Sequence, residues 1–94
     1  MRKIAALSEA HAIKFIPHCA YFGPGNLASI HIVAAHGLDT LLENIYASLQ
    51  ANPFGDSMQA RNGMVAVPQA VGLGVEPDMA VVSKYRQGPV SIIE

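Results

Sequence analysis

The pattern of apolar and polar residues predicts helices in three parts of the chain, the first of them through apolar residues at helical spacing. Residues 1–11 carry this pattern, an Ala-rich apolar run predicts a second helix from about residue 27 to 35, and residues 79–85 predict a third. Asn26 and Asp78 stand directly before the second and third helices, where a short polar side chain can accept hydrogen bonds from the first turn. The pattern therefore predicts three helices, two of them capped.

Two shorter apolar runs have the length and composition of β-strands. Residues 13–17 read IKFIP, and Pro17 ends this run because it cannot donate a backbone hydrogen bond. Residues 40–47 read TLLENIYA, and Gly37 ends the helix between the two runs as a C′ residue. The order helix, strand, helix, strand is typical of alternating β/α proteins, so the predicted fold class is α/β.

The second half of the chain predicts loops and a small hairpin. The hairpin spans 58–67, with the Asn62-Gly63 dipeptide at its turn. Residues 68–77 form a Gly-containing loop, and the tail at 87–94 carries one apolar cluster.

The composition has too little charge for a small self-sufficient domain. Of 94 residues, 51% are hydrophobic and 14% are charged, against about 25% charged in typical soluble domains. A chain of this size buries only about 60–65% of its unfolded surface. We therefore expect its apolar faces to pack against further polypeptide, either missing strands or another subunit. Met58, Met64 and Met79 are expected to fill the core.

Charge and cysteine content exclude several classes of function. Six basic and seven acidic residues without an Arg cluster argue against a nucleic-acid partner. No apolar run reaches the roughly 20 residues that span a bilayer, so no membrane partner is expected. Cys19 is the single cysteine, which predicts no internal disulfide and a cytoplasmic location.

His18 and Glu43 are the best candidates for chemistry. His18 follows the first predicted strand, and an imidazole can exchange protons near neutral pH; in a β/α barrel, catalytic residues lie at strand ends. The alternative is a loop histidine hydrogen-bonded to backbone. Glu43 lies in an apolar run, where a carboxylate costs free energy unless it is paired; the alternative is an outward or salt-bridged glutamate.

Three stretches carry a family resemblance: PHCAYFGPGNLASIHIVAA, LLENIYA and VPQAVGLGVEPD, in that order. Together they resemble the C-terminal end of the mandelate racemase and muconate lactonizing enzyme group of the enolase superfamily, especially its acid-sugar dehydratase-like members. The resemblance implies a partial TIM-type (β/α) barrel. Residues 1–47 would be its last two βα units, and residues 48–94 would be a C-terminal segment that packs on an N-terminal capping domain.

The resemblance also implies roles for individual residues. His18 would be the general base that takes the proton α to a carboxylate, and Glu43 would hydrogen-bond to the carboxylate of an acid-sugar or related substrate. Apart from the resemblance, Tyr21 and Gly23 are candidates for substrate binding: Tyr21 would line the rim of a pocket, and Gly23 with Gly25 would form a backbone nest for an anion. The alternatives are a packed aromatic and glycines that only shape the loop. Enolase-superfamily sites pair a His or Lys base with Mg²⁺, but the family's metal ligands have no counterpart in these residues, so no metal ligand is expected here.

The resemblance covers only the last part of such an enzyme. We therefore expect a C-terminal portion that is inactive alone and whose partner is the missing barrel half or a second copy. One alternative is a non-enzymatic, self-associating interaction module. Another is a small metal-binding protein that uses His18, Cys19 and His31.

Overall fold

The computed structural model describes residues 1–19, 21–37, 40–45 and 47–88. These ranges contain three α-helices: α1 spans Arg2–Ala10, α2 spans Pro24–Ala35 and α3 spans Met79–Tyr85. The three predicted helices are confirmed, and turns and irregular segments make up the rest of the described chain. The apolar cluster of the tail lies outside the described residues.

The predicted α/β fold, a partial TIM-type barrel, is wrong. Residues 13–17 and 40–45 form no strand, and within the described ranges no backbone hydrogen bond joins these two segments to one another. A strand exists through ladder bonds to a neighbouring strand, and an apolar run alone does not supply that neighbour. Tyr46, within the second predicted strand, lies outside the described residues.

Helix α2 begins earlier than its sequence pattern predicted. Its first residue is Pro24 and its N-cap is Gly23, because proline has a backbone angle suited to the first helical position and needs no N–H partner there. Asn26 therefore lies inside the first turn and is not the predicted cap. The end of the helix at Ala35 is confirmed, with Gly37 at C′ and a φ of +102°.

Helix α3 is capped as predicted. The Asp78 Oδ1 atom accepts hydrogen bonds from the Ala80 N–H at 2.8 Å and the Val81 N–H at 3.4 Å. None of the residues of α3 is buried. The helix therefore depends on its cap more than on packing.

The hydrophobic core is built around α2. Leu27 and Ile30 pack with Met58, and all three are buried. Partly buried side chains from later segments surround them: Leu42, Phe54, Val65, Val67, Leu73 and Val75. The core role predicted for Met58 is confirmed, whereas Met64 and Met79 are 73% and 62% exposed. Met64 adjoins a turn and Met79 begins the unburied helix α3, so neither faces the core.

The turn predicted at Asn62-Gly63 is confirmed. Both residues have positive φ, +53° and +76°, as a two-residue hairpin turn of the mirror-image type requires. Arg61 and Met64 pair across it through two backbone hydrogen bonds of 2.7 and 3.1 Å. In the described residues the pairing stops at this single bridge, so the hairpin is shorter than the predicted 58–67.

Two hydrogen bonds anchor the 68–77 loop and the start of α3. The His31 Nε2 atom on α2 lies 3.1 Å from the Leu73 carbonyl oxygen. The Asp78 N–H donates to the Pro53 carbonyl at 2.6 Å. These bonds hold the 68–77 loop against α2 and fix the start of α3.

The protein exposes a large surface for its length. Its accessible surface is 7392 Å², about 2,200 Å² more than the roughly 5,200 Å² of a compact monomer of this size. The radius of gyration is 15.2 Å, against about 12.4 Å for a compact domain of this length. Among the described helices, none combines the length and apolar character needed to cross a membrane.

Candidate functional site

The structure brings the two predicted catalytic residues together. The His18 Nδ1 atom lies 2.5 Å from the Glu43 Oε2 atom, although the two residues are 25 positions apart in the sequence. This is a hydrogen bond between an imidazole and a carboxylate, with ion-pair character when the ring is protonated. It is the contact from which a functional site can be built.

Burial of the neighbouring residues explains why both side chains reach the surface. Pro17 and Cys19 are buried on either side of His18, which leaves the imidazole pointing outward. Leu42 packs against the core, and the Asn44 Nδ2 donates to the Met58 carbonyl at 3.3 Å. The side chains before and after Glu43 are thus held inward, and Glu43 is left exposed beside His18.

The pair is open to solvent. The His18 and Glu43 side chains are 76% and 50% exposed, so water screens their attraction and the pair adds little to stability. The exposure also means that a dissolved molecule can reach both groups. An imidazole and a carboxylate in this arrangement can exchange a proton with such a molecule.

The hydrogen bond bears on the alternative, purely structural interpretations of His18 and Glu43. The hydrogen bond found for His18 joins it to a side chain, not to the backbone expected of a purely structural loop histidine. Glu43 is a paired carboxylate, as one alternative stated, but its partner is the candidate base itself. Their catalytic roles stay predictions.

Tyr21 and Gly23 are placed in the loop that starts α2. Gly23 is the N-cap of the helix. The Tyr21 ring lies so close to Gly25 that a Cβ atom there would be 2.8 Å from the ring. In the described chain, neither Tyr21 nor Gly23 has a hydrogen bond to the His18–Glu43 pair. Their part in substrate binding stays a prediction.

The described residues do not fit a magnesium ion. In them no group of three or more His, Cys, Asp or Glu side chains lies close enough to hold a metal. The His18–Glu43 pair offers one carboxylate and one nitrogen, whereas Mg²⁺ prefers six oxygen ligands. The alternative metal set is not formed either, because His31 bonds to the Leu73 carbonyl and Cys19 is buried.

Asn26 is a polar residue in an environment that the sequence pattern did not predict. It is 2% exposed, and its Oδ1 atom has no hydrogen-bond partner among the described residues. It lines a cavity of about 480 Å³ between the start of α2 and residues 44–45 and 47–60. The Pro24-Gly25 pair was the available signal, since a proline at the first helical position places Asn26 in the first turn and not before it.

Comparison with known proteins shows the relationship of the chain. A family model described as "Enolase C-terminal domain-like" matches residues 1–81. The D-galactarolactone cycloisomerase of Agrobacterium fabrum is 27% identical over 92% of this chain and 25% of its own length. The D-gluconate dehydratase of Thermoproteus tenax is 32% identical over 96% of this chain and 19% of its own length. No solved structure gives a significant match.

The chain thus spans about a quarter and a fifth of the length of these two curated relatives. Both relatives are enolase-superfamily members, and the resemblance inferred from the three sequence stretches is confirmed. Because the family match extends over most of its residues, the chain belongs to the enolase C-terminal domain-like family.

Proposed function

We propose that this chain supplies the proton-transfer part of an enzyme of the mandelate racemase and muconate lactonizing enzyme group. His18 is the general base that removes the proton α to a substrate carboxylate, and Glu43 is the second functional residue. The observation that carries the proposal is the 2.5 Å contact between them. Two residues marked independently by the family resemblance meet at one accessible place.

The substrate class of the proposal is a sugar acid or a related carboxylate. The names of the two relatives support it, since one is a D-gluconate dehydratase and the other a D-galactarolactone cycloisomerase. Dehydration and cycloisomerisation can both begin with loss of an α-proton. The proposal therefore covers a lyase or an isomerase, acting in the cytoplasm as the single cysteine indicates.

In this proposal the metal ligands belong to another part of the enzyme and not to the 94 residues of this chain. Members of the enolase superfamily generally use Mg²⁺ with a His or Lys base, and the described residues do not form a site for it. We assign His18 and Glu43 to residues 1–47, and packing against a capping domain to residues 48–94. The partner is then the polypeptide that carries the metal ligands, and the 94 residues alone are inactive.

A chimeric enzyme tests the proposal. In the D-gluconate dehydratase of Thermoproteus tenax, the segment matched by this chain is replaced by the chain itself. Metal-dependent exchange of the α-proton of D-gluconate in D₂O is then measured. We expect exchange in the chimera and its loss in His18→Asn, since asparagine cannot take the proton. His11→Asn is the matched control, because His11 is an exposed histidine at the end of α1.

The proposal fails if the chimera folds cooperatively and does not exchange, or if His18→Asn is as active as its parent. If the chimera does not fold, the same measurement is made on the chain co-expressed with the relative truncated before the matched segment. Metal-dependent exchange by the purified chain alone would overturn the predicted inactivity.

A second candidate function is self-association without catalysis. Its support is the surface excess described above and the exposure of apolar side chains on α1, where Ile4 and Leu7 are each 61% exposed. The excess of about 2,200 Å² exceeds the roughly 800 Å² that each partner buries in a standard interface. The occupant we consider is a second copy of the chain.

Sedimentation of the purified chain tests this second candidate. We expect a mass above that of a monomer, and a return to monomer in Leu7→Lys. Val71→Lys is the matched control, because Val71 is 96% exposed and belongs to the 68–77 loop, not to α1. A monomeric wild-type chain would exclude self-association.

A further inference from the structure

We propose that Asn62 is a site of spontaneous chemical modification, at which the Gly63 nitrogen displaces ammonia from the Asn62 side chain and water converts the product to aspartate and isoaspartate. The reaction needs only the chain and water. It is independent of the proposed function, because neither residue belongs to the His18–Glu43 pair.

The reaction passes through a cyclic imide. The Gly63 amide nitrogen loses its proton and attacks the Asn62 Cγ atom, so that an N–C bond forms. The bond from Cγ to Nδ2 breaks, and Nδ2 leaves as ammonia. Water then adds to one of the two imide carbonyl carbons: breaking the new N–C bond gives aspartate, and breaking the original peptide bond gives isoaspartate. No oxidant or reductant takes part.

The residue that follows each asparagine decides which of them can react in this way. The chain has four asparagines, and Asn62 is the one that glycine follows. Glycine has no Cβ, so its nitrogen is unhindered and its backbone turns freely. Proline follows Asn52 and has no N–H to deprotonate. Leucine follows Asn26 and isoleucine follows Asn44, and these branched side chains crowd the attacking nitrogen.

The structure leaves the reacting groups of Asn62 and Gly63 accessible. Both residues are exposed, and a Cβ atom on Gly63 would meet nothing within 4 Å. In the described part of the chain, no hydrogen bond involves the Asn62 side chain or the Gly63 N–H. By contrast, Asn26 is buried, and hydrogen bonds to backbone groups hold the side chains of Asn44 and Asn52.

The closed turn slows the reaction by a limited factor. Ring closure requires the backbone at Asn62 to rotate until the Gly63 nitrogen faces Cγ, so the turn must open first. Two backbone hydrogen bonds between Arg61 and Met64 oppose this opening, and the pairing of the described residues is that single bridge. Two such bonds shift the equilibrium toward the closed turn by a factor of roughly 5 to 150. The native chain therefore still reaches the open, reactive form.

The products change the turn and its surroundings. Isoaspartate places a side-chain methylene in the main chain, so Arg61 and Met64 no longer face one another at the spacing that their two bonds need. Either product replaces a neutral amide by a carboxylate and adds one negative charge to a formal net charge of −1. Val65 and Val67, which pack against the core, follow this turn directly. The modification should therefore loosen the attachment of this segment to the core.

Mass spectrometry of peptides from the purified full chain, incubated in buffer for increasing times, tests the proposal. We expect the mass gain of replacing NH₂ by OH at Asn62, with isoaspartate among the products, and none at Asn26, Asn44 or Asn52 over the same period. The rate should rise with pH, because the attacking nitrogen must lose its proton. The same chain unfolded in urea gives the unhindered rate, and the native chain should be slower by no more than roughly 150-fold.

Asn62→Gln is the matched variant, because glutamine keeps the amide but must close a larger, less favourable ring. We expect no mass gain at residue 62 in this variant during the same incubation. The proposal is overturned if native Asn62 reacts more than roughly 150-fold more slowly than in urea, or if all four asparagines gain mass at similar rates. A gain in the 59–66 region that persists in Asn62→Gln would also overturn it.

Discussion

At the scale of single residues, the neighbours of a polar side chain decide whether it is exposed or buried. His18 reaches solvent because Pro17 and Cys19 are both buried. Asn26 is the opposite case: it is enclosed in the first turn of α2, and its Oδ1 atom finds no partner in the described part of the chain. An acceptor that is buried without a donor costs roughly 1–3 kcal/mol. The same residue type that would have capped the helix instead destabilises it.

Asn26→Leu should therefore stabilise the protein. Leucine is branched at Cγ like asparagine, so it fills the same space without an unpaired acceptor. We expect the free energy of unfolding, measured with urea, to rise by about 1 kcal/mol. Asn52→Leu is the control, because the Asn52 Oδ1 accepts from the Phe54 N–H at 3.0 Å, and its loss should lower stability by about 1 kcal/mol. A loss of stability in Asn26→Leu would show that Oδ1 has a donor.

The sequence identified His18 and Glu43 as candidate site residues but did not predict their contact. His18 was identified by its place after an apolar run, and Glu43 by being a lone carboxylate in another. The resemblance assigned them a base and a substrate partner. The direct bond depends on how two irregular segments settle beside α2, and residues 25 positions apart carry no local signal for that.

At the scale of elements, α3 is stabilised mainly from within. Its residues are not buried, and the Asp78 side chain accepts two of its first N–H groups. A seven-residue helix is too short to be stable on its own in water. The cap therefore decides whether α3 forms.

Asp78→Ala should unfold α3 locally. The lost cap costs about 1 kcal/mol, and hydrogen exchange at the amides of 82–85 should accelerate roughly in proportion. Amides in α2 should exchange as before, since α3 contributes nothing to the buried core. Asp78→Asn keeps an acceptor and should behave like the wild type. Equal protection of α3 in Asp78→Ala would mean that packing, not the cap, maintains it.

The loop after residue 68 depends on one close backbone approach. Gly72 and Gly74 both have positive φ, +72° and +82°. A Cβ atom on Gly74 would lie 2.5 Å from the Pro68 Cβ and 2.6 Å from its carbonyl carbon, whereas one on Gly72 would meet nothing within 4 Å. Only at Gly74 does the space, as well as the backbone angle, require glycine.

Gly74→Ala should therefore destabilise the protein more than Gly72→Ala. Both variants strain a left-handed residue by about 1 kcal/mol, and Gly74→Ala adds at least about 1 kcal/mol for the clash. Urea unfolding of the two variants gives the difference directly. Equal losses would show that the loop moves away from Pro68 without cost and that its approach is not required.

The helices could be predicted because their sequence signals lie within the helix or next to it. The strands could not, because a strand needs a neighbouring strand. The helices followed from apolar spacing, from the Asp78 cap and from Gly37, all of which act within a few residues. The strands predicted at 13–17 and 40–47 needed ladder bonds from a neighbour. The start of α2 was missed because Pro24 can belong to a turn or to a first helical turn.

At the scale of the whole molecule, a small core supports a wide surface. The excess surface and the large radius of gyration both describe a chain whose later segments spread around α2. The low charge content read from the sequence agrees with this, since fewer charged groups leave more apolar area exposed. Stability should then be concentrated in a few side chains.

Leu27→Ala should be the most damaging single truncation. Leu27 is fully buried at the centre of the core, and such a change typically costs about 2–5 kcal/mol. Leu7→Ala removes the same atoms from a side chain that is 61% exposed, and its cost should be below about 0.5 kcal/mol. Urea unfolding of both variants tests this contrast. Similar losses would mean that Leu7 is covered in solution, which would favour the self-associated state.

The position of α2 in the chain has a consequence for synthesis. In the described residues, the partly buried hydrophobic side chains that pack against the Leu27–Ile30–Met58 cluster all come later in the sequence than α2, from Leu42 to Val75. A ribosome therefore releases α2 before the hydrophobic side chains that pack against this cluster, and the core cannot form until most of the nascent chain has emerged. Such an interval exposes hydrophobic surface to other proteins in the cell. For this chain, the period of greatest vulnerability to aggregation lies between the translation of α2 and that of Val75.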